Sequence, residues 1–118
     1  MIKLKRVYEP LEPDDGMRVL VERLWPRGVR REALHLDAWL KEVAPSDSLR
    51  RWFNHDPVRW AEFQKRYAAE LGGNRPAWLA ILEAAERGTV TLLFSAHDLE
   101  HNNAVALRAY VKAKKEPR

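Results

Sequence analysis

The stretch that decides the fold is residues 89–96, "TVTLLFSA", the most continuous apolar run in the chain. A strand with one face in water alternates apolar and polar residues, and this run does not alternate. Unbroken runs of strand-forming residues are typical of parallel strands that are covered on both faces. The run therefore predicts a central strand of a parallel sheet, and the remaining chain must supply the neighbouring strands and the covering layers.

Two other segments are predicted to be strands of the same sheet. Residues 3–8, "KLKRVY", alternate, and residues 17–24, "MRVLVERL", are rich in β-branched side chains. Residues 36–43, "LDAWLKEV", fit a strand or a helix, and we favour a strand. The loop "EPLEPDDG" separates the first two strands, and residues 31–36 are predicted to form a short helical turn.

The middle of the chain is predicted to be helical. Ser46 precedes an apolar i, i+3, i+4 spacing, which indicates a helix N-cap. Asp56 followed by Pro57 repeats this signal at the start of a second helix, which the pair Gly72-Gly73 ends. One face of that helix carries Trp60, Phe63, Tyr67 and Leu71.

Two further helices complete the predicted fold. One starts at residues 74–76 and ends at Gly88, and another is predicted to be capped by Asp98. Strands that alternate with helices predict an α/β protein with a small layered sheet of about four strands, mostly parallel, flanked by helices. The length of 118 residues predicts a single domain over 1–118, with residues 112–118 as a frayed basic tail. The inner face of the last helix is predicted to hold Ala104, Leu107, Tyr110 and Val111.

The composition narrows the class of protein. The chain has no cysteine, so a disulfide scaffold, a zinc site with thiolate ligands and a cysteine nucleophile are all excluded. No apolar run approaches the roughly 20 residues of a membrane span. The N-terminal residues lack the apolar segment of a signal peptide. We therefore expect a cytoplasmic protein without a membrane partner, and the sequence leaves its oligomeric state open.

The loops that follow two apolar strands are the predicted functional site. They are residues 23–28, "RLWPRG", and the segment from Ser95 to Asn103. In open α/β sheets, ligands bind beyond the carboxyl ends of the strands. Guanidinium groups bind phosphate or carboxylate, and an indole offers a flat face to a ring or to Arg27. The pattern predicts a pocket for an anion or phosphate, with a nucleotide-like ligand as one form of it.

A structural interpretation of the same residues stays open. Trp25 can fill the end of the core, and Arg23 can pair with Glu42 or Asp98. Helical geometry points Asn103 toward the sheet, where it would bond either strand backbone or a ligand.

Catalysis and cofactors are left undecided by the sequence. If the protein is an enzyme, His55 and His97 are the candidate acid or base, because histidine titrates near neutrality. His97, Asp98 and His101 suggest a metal site, but capping would occupy Asp98, so we expect none. The sequence has neither a G-x-G-x-x-G nor a P-loop motif, so the cofactor is unknown.

The alternative function is a nucleic-acid-binding or regulatory module that uses the basic surface from Arg23 to Arg31. These residues include four arginines and no acid, and the isoelectric point is about 9.6. Basic clusters attract phosphate backbones. Since no known reading motif is present, a small anionic ligand ranks above nucleic acid.

Four segments together resemble the YeaO-like family, the domain of unknown function 488. They are "RVLVERLWPRG", "WLKEVAPS", "LRRWFNHDPVRWAEFQKRYAAEL" and "GTVTLLFSAHDLEHNNA", and the resemblance extends over residues 3–111. It implies a compact α/β cytoplasmic domain and no particular activity. Relatives often carry lysine where this chain has His97, which implies a cationic or hydrogen-bonding role there and not a metal ligand. The characteristic positions fall on Arg23, Trp25, Pro26, Arg27, Gly28, Lys41, Pro45, Ser46, His55, Asp56, Asn102 and Asn103.

The residues and the resemblance together define the predicted ligand-binding set. Its members are cationic, aromatic or amide side chains that are expected to face the strand-end loops. They are Arg23, Trp25, Arg27, Lys41, His97, Asn102 and Asn103.

Overall fold

A computed structural model describes residues 1–114 and contains one sheet of four strands. The strand order is β1-β4-β2-β3, and all three neighbouring pairs are parallel. All five residues of β4 are buried, as the apolar run at 89–96 predicts. The predicted α/β class is therefore confirmed. The strands are β1 Ile2–Arg6, β2 Met17–Leu20, β3 Ala38–Trp39 and β4 Val90–Phe94.

One face of the sheet is covered by helices. Val19 of β2 and Leu92 of β4 point to this face and join the larger hydrophobic core. The helices contribute buried aromatic and aliphatic side chains such as Phe63, Trp78 and Leu107. The helices of this layer are α2 Asp47–Phe53, α3 Trp60–Gly72, α4 Arg75–Arg87 and α5 Asn103–Lys114.

The opposite face is covered by shorter connections. Leu20 and Leu93, the alternate residues of the central strands, pack with Leu34 of the short helix α1 Arg31–Leu34. Trp25 and Trp39 complete this smaller core. The sheet is thus buried on both sides, but a full layer of helices lies on one side only.

A buried ion cluster occupies the same face near the start of β2. Lys5 Nζ lies 2.8 Å from Asp15 and 2.7 Å from Glu12, and Arg18 also donates to Asp15. Burial by itself would raise the pKa of Asp15, but hydrogen bonds from Lys5, the Glu12 backbone and Arg18 lower it to about 2. The carboxylate is therefore held in its charged form.

All four strands are shorter than the sequence predicts, and the difference is largest for β2 and β3. β2 ends at Leu20, although the Val21 amide still donates to the Leu93 carbonyl at 3.2 Å. The third strand has two residues, because the chain turns into a 3₁₀ helix at Lys41–Val43. This turn carries Val43 into the core below the helices, which a continued edge strand would not do.

Local capping signals are mostly confirmed. The Ser46 hydroxyl accepts the Leu49 amide, and Asp56 accepts the Val58 amide ahead of α3. The prediction that Asp98 caps the last helix is wrong. α5 begins at Asn103, and the Asn102 side chain accepts the Val105 amide at 2.9 Å, because a separate turn intervenes between Asp98 and the helix.

The end of α5 includes part of the predicted tail. Residues 112–114 continue this helix, and residues 115–118 lie outside the described residues. None of the helices within residues 1–114 combines the length and the apolar character needed to cross a bilayer.

Candidate functional site

The two predicted loops meet at one edge of the sheet. Because β2 and β4 are parallel neighbours, the segments that follow them leave the sheet side by side. They border an open cavity of about 320 Å³. This volume lies near the lower end of the range found for small-molecule binding sites. The cavity is lined by Tyr8, Glu22, Arg23, Leu24, Trp25, Pro26, Arg27, Ala44, Pro45, Arg50, Phe53, His55, Phe63, Ser95, Ala96, Asn102 and Asn103.

Arg23 fixes one wall of this cavity. Its Nε donates to the Pro45 carbonyl at 3.3 Å and its Nη2 to the Ala44 carbonyl at 3.1 Å. The expected partners Glu42 and Asp98 do not pair with it within residues 1–114. A guanidinium has five N–H groups, and Arg23 uses two of them to hold this backbone.

Trp25 is held mainly by structural contacts. Its Nε1 donates to the Val29 carbonyl at 2.7 Å, and its ring packs edge-on against Trp39. The guanidinium over its ring belongs to Arg31, with 4.7 Å between Cζ and the ring centroid, and not to Arg27 as the sequence suggested. The partly buried indole is thus both a core element and a cavity wall.

The amides at the start of α5 are also committed to the backbone. Asn102 is buried and donates to the Asp98 carbonyl at 2.9 Å. Asn103 donates to the carbonyl of Val21, directly after β2, at 2.8 Å, which is the backbone alternative of the two that the sequence left open. Both side chains border the cavity, and the Asn103 bond joins the start of α5 to the end of β2.

His55 enters the cavity from an unusual backbone conformation. Asn54 and His55 have φ values of 47° and 54°, so two consecutive non-glycine residues adopt the left-handed region. This conformation is rare and costs about 1 kcal/mol or more per residue. The Asp56 amide donates to the Phe53 carbonyl at 2.9 Å and closes the turn. The turn places the His55 ring at the cavity, with its centroid 6.5 Å from that of Phe53.

Two predicted site residues lie outside the cavity. Lys41 is exposed, and its Nζ lies 4.1 Å from the centroid of the Trp39 ring. His97 is also exposed, with Nδ1 3.4 Å from Nη2 of Arg6. The nearby His101 pairs with Asp98 at 2.9 Å.

Glu22 is a cavity residue that the sequence reasoning missed. Its Oε1 accepts the Ser95 hydroxyl, which joins the ends of β2 and β4. Burial raises the pKa of this carboxyl, although the hydrogen bond from Ser95 opposes the shift. The sequence did contain a signal for Glu22, because it lies directly before Arg23 in a predicted strand that leads into the loop.

Arg50 and Tyr8 were also missed. Arg50 lies on α2, and Tyr8 follows β1, where its hydroxyl donates to the Arg27 carbonyl at 3.1 Å. No local pattern links these positions to the strand-end loops. Three arginines and one carboxylate, Glu22, therefore border the cavity, so most of its charged side chains are cationic.

Comparison with known proteins places the chain in a family. The family model described as "Inactive DUF488-N3 subclade" matches residues 1–118. The chain therefore belongs to the DUF488 family, in agreement with the resemblance carried by its motifs.

Individual relatives agree with this assignment. The chain is 40% identical over 112 residues to the uncharacterized protein YeaO of Escherichia coli K12, a match that covers 95% of this chain and 97% of YeaO. It is 39% identical over 106 residues to the uncharacterized protein Rv3073c of Mycobacterium tuberculosis H37Rv, covering 90% of this chain and 89% of that protein. No solved structure matches the chain.

Proposed function

We propose that this protein is a small cytoplasmic binding module that holds a phosphate-bearing small molecule in the cavity at the carboxyl edge of its sheet. The carrying observation is the set of guanidiniums of Arg23, Arg27 and Arg50 around a cavity whose acid is Glu22. Guanidiniums bind phosphate through paired, charge-assisted hydrogen bonds. The imidazole of His55 adds a further donor at the same cavity.

Binding without turnover is the form of this function that we favour. The family description carries the word "inactive". The side-chain amides of Asn102 and Asn103 donate to backbone carbonyls. The candidate base His97 lies outside the cavity, and His55 is the remaining candidate. These features support a sensor or regulatory role for the protein, in which it responds to the bound ligand.

The test compares two arginine variants of the same loop. Arg27→Ala removes an exposed guanidinium that borders the cavity, and Arg30→Ala removes an exposed one that does not. Calorimetric titration with inorganic phosphate and small phosphate esters should show binding to the wild type and to Arg30→Ala. We expect Arg27→Ala to bind about tenfold more weakly, since a hydrogen bond to a charged group contributes roughly 1.5–3 kcal/mol.

The same titrations can refute the proposal. Equal affinities of both variants, or no binding to the wild type, would contradict an anion site at this cavity. Binding of short DNA or RNA that weakens steeply with salt, and that Arg30→Ala and Arg31→Ala reduce as much as Arg27→Ala, would support the nucleic-acid alternative instead.

A further inference from the structure

The cavity has two chemically different ends. Glu22 and Ser95 are partly buried where the central strands end, whereas Arg27 and Arg50 are exposed. An acceptor group thus lies at the sheet and two cationic groups lie toward solvent, whereas the partly buried Arg23 is bonded to the Pro45 and Ala44 carbonyls. A ligand that fills this space needs a hydrogen-bond donor at one end and an anion at the other.

Glu22 defines the inner end. A carboxylate has about four acceptor sites, and the Ser95 hydroxyl uses one of them. The remaining sites can be satisfied only by ligand donors or water, and a second anion there would be repelled. The hydroxyl groups of a ligand can donate to the acceptor sites that remain on Glu22.

The arginines define the outer end. Arg27 has no carboxylate within 4 Å in residues 1–114, and its guanidinium is therefore available to an anion. Arg50 shares an exposed pair with Asp47 at 3.4 Å, which is weak enough to be exchanged for a phosphate. Both border the same cavity from different segments, the "RLWPRG" loop and α2.

The walls between these ends are largely apolar. Pro26 is buried, and Phe53 and Phe63 belong to the main core where they border the cavity. Such walls suit the C–H groups of a sugar ring, which neither a free phosphate nor a simple carboxylate offers.

We propose that the ligand is a sugar phosphate, whose hydroxyls are bound by Glu22 and whose phosphate is bound by Arg27 and Arg50. This inference rests on the proposed anion site and adds its substrate class. Glu22 is then the residue that distinguishes a phosphorylated sugar from other phosphates.

The experiment measures selectivity and not affinity alone. Ribose 5-phosphate, glucose 6-phosphate, inorganic phosphate and glycine are titrated into the wild type, Glu22→Gln, Glu22→Ala and Arg27→Ala. Glu100→Gln, which changes an exposed acid outside the cavity, is the matched control. We expect at least one sugar phosphate to bind the wild type and the control about tenfold more tightly than inorganic phosphate.

The variants should separate the two ends of the site. Glu22→Ala should reduce sugar phosphate affinity to that of inorganic phosphate and leave the latter unchanged, whereas Arg27→Ala should weaken both. Glu22→Gln has the same shape, so it should fold even if Glu22→Ala does not, and it should lose part of the selectivity.

The failures of the two proposals are distinguishable. If inorganic phosphate binds in an Arg27-dependent manner but no sugar phosphate binds more tightly, the sugar phosphate inference is overturned and the anion site stands. Loss of phosphate and sugar phosphate binding to the same extent in Glu22→Gln overturns it as well. Tight binding of glycine with no phosphate binding, or no binding at all, overturns both.

Discussion

The Asn103 side-chain amide donates a hydrogen bond of 2.8 Å to the carbonyl oxygen of Val21. This bond joins the first residue of α5 to the residue that follows β2. The Val21 amide in turn donates to the Leu93 carbonyl in β4. The helix start and the ends of both central strands are therefore held as one unit, which explains why their loops border a common cavity.

Asn103→Ala should lower the free energy of unfolding by about 1–2 kcal/mol, because the partly buried Val21 carbonyl loses its side-chain donor. Urea unfolding followed by circular dichroism measures the change. Asn74→Ala is the control, since it removes an exposed hydrogen bond of 3.1 Å from the side-chain amide to the Glu42 carbonyl. Equal losses in the two variants would show that the Asn103 bond has no special role.

Asp15→Asn should destabilise the protein by about 3–5 kcal/mol, the usual cost of breaking a buried ion pair. The buried carboxylate binds Lys5 and Arg18, and its removal leaves both cations without their shared partner. Asp14→Asn is the control, because Asp14 is exposed and its pair with Lys3 spans 3.3 Å. Denaturant unfolding at neutral pH compares them, and similar losses in both would contradict the assigned importance of the buried cluster.

The same carboxylate should make stability depend on pH in acid. The pKa of Asp15 is about 2 in the folded protein, whereas an unperturbed aspartate has a pKa of 3.8. At pH values between these two, the unfolded chain therefore binds more protons than the folded protein. The stabilisation is present above about pH 4 and decreases as the pH falls toward 2. Unfolding measured across this interval should show a smaller slope for Asp15→Asn than for the wild type. An unchanged slope would mean that other carboxyls cause the acid sensitivity.

Gly16→Ala should destabilise the protein much more than Gly28→Ala. Both glycines have positive φ, 65° and 72°, which costs an alanine about 1–2 kcal/mol. A Cβ on Gly16 would also lie 2.1 Å from the Thr89 carbonyl oxygen, whereas nothing lies within 4 Å of one on Gly28. The steric contact adds roughly 1–3 kcal/mol. Thermal unfolding of the two variants tests this, and equal changes in melting temperature would refute the steric argument.

Structural features that depend on residues close together in the chain, such as helix caps, could be predicted from the sequence. The caps at Ser46 and Asp56 depend on a side chain and an amide two or three residues away, so their spacing is visible in the chain. The same approach failed at Asp98, which does accept nearby amides, but in a turn that precedes the helix. Local pattern alone did not distinguish a turn cap from a helix cap.

The amino-acid sequence by itself predicted the parallel α/β class, the central strand, which is Val90–Phe94 in the structure, and the sheet edge at which the two loops meet, because hydrophobic periodicity follows from residue order. Only the tertiary structure decided which side chains share the cavity. It brought Glu22, Arg50 and Ser95 together and left Lys41 and His97 outside. The physical reason is that contacts between distant segments depend on how helices and loops pack against the sheet. The spacing of residues along the chain does not reveal that packing.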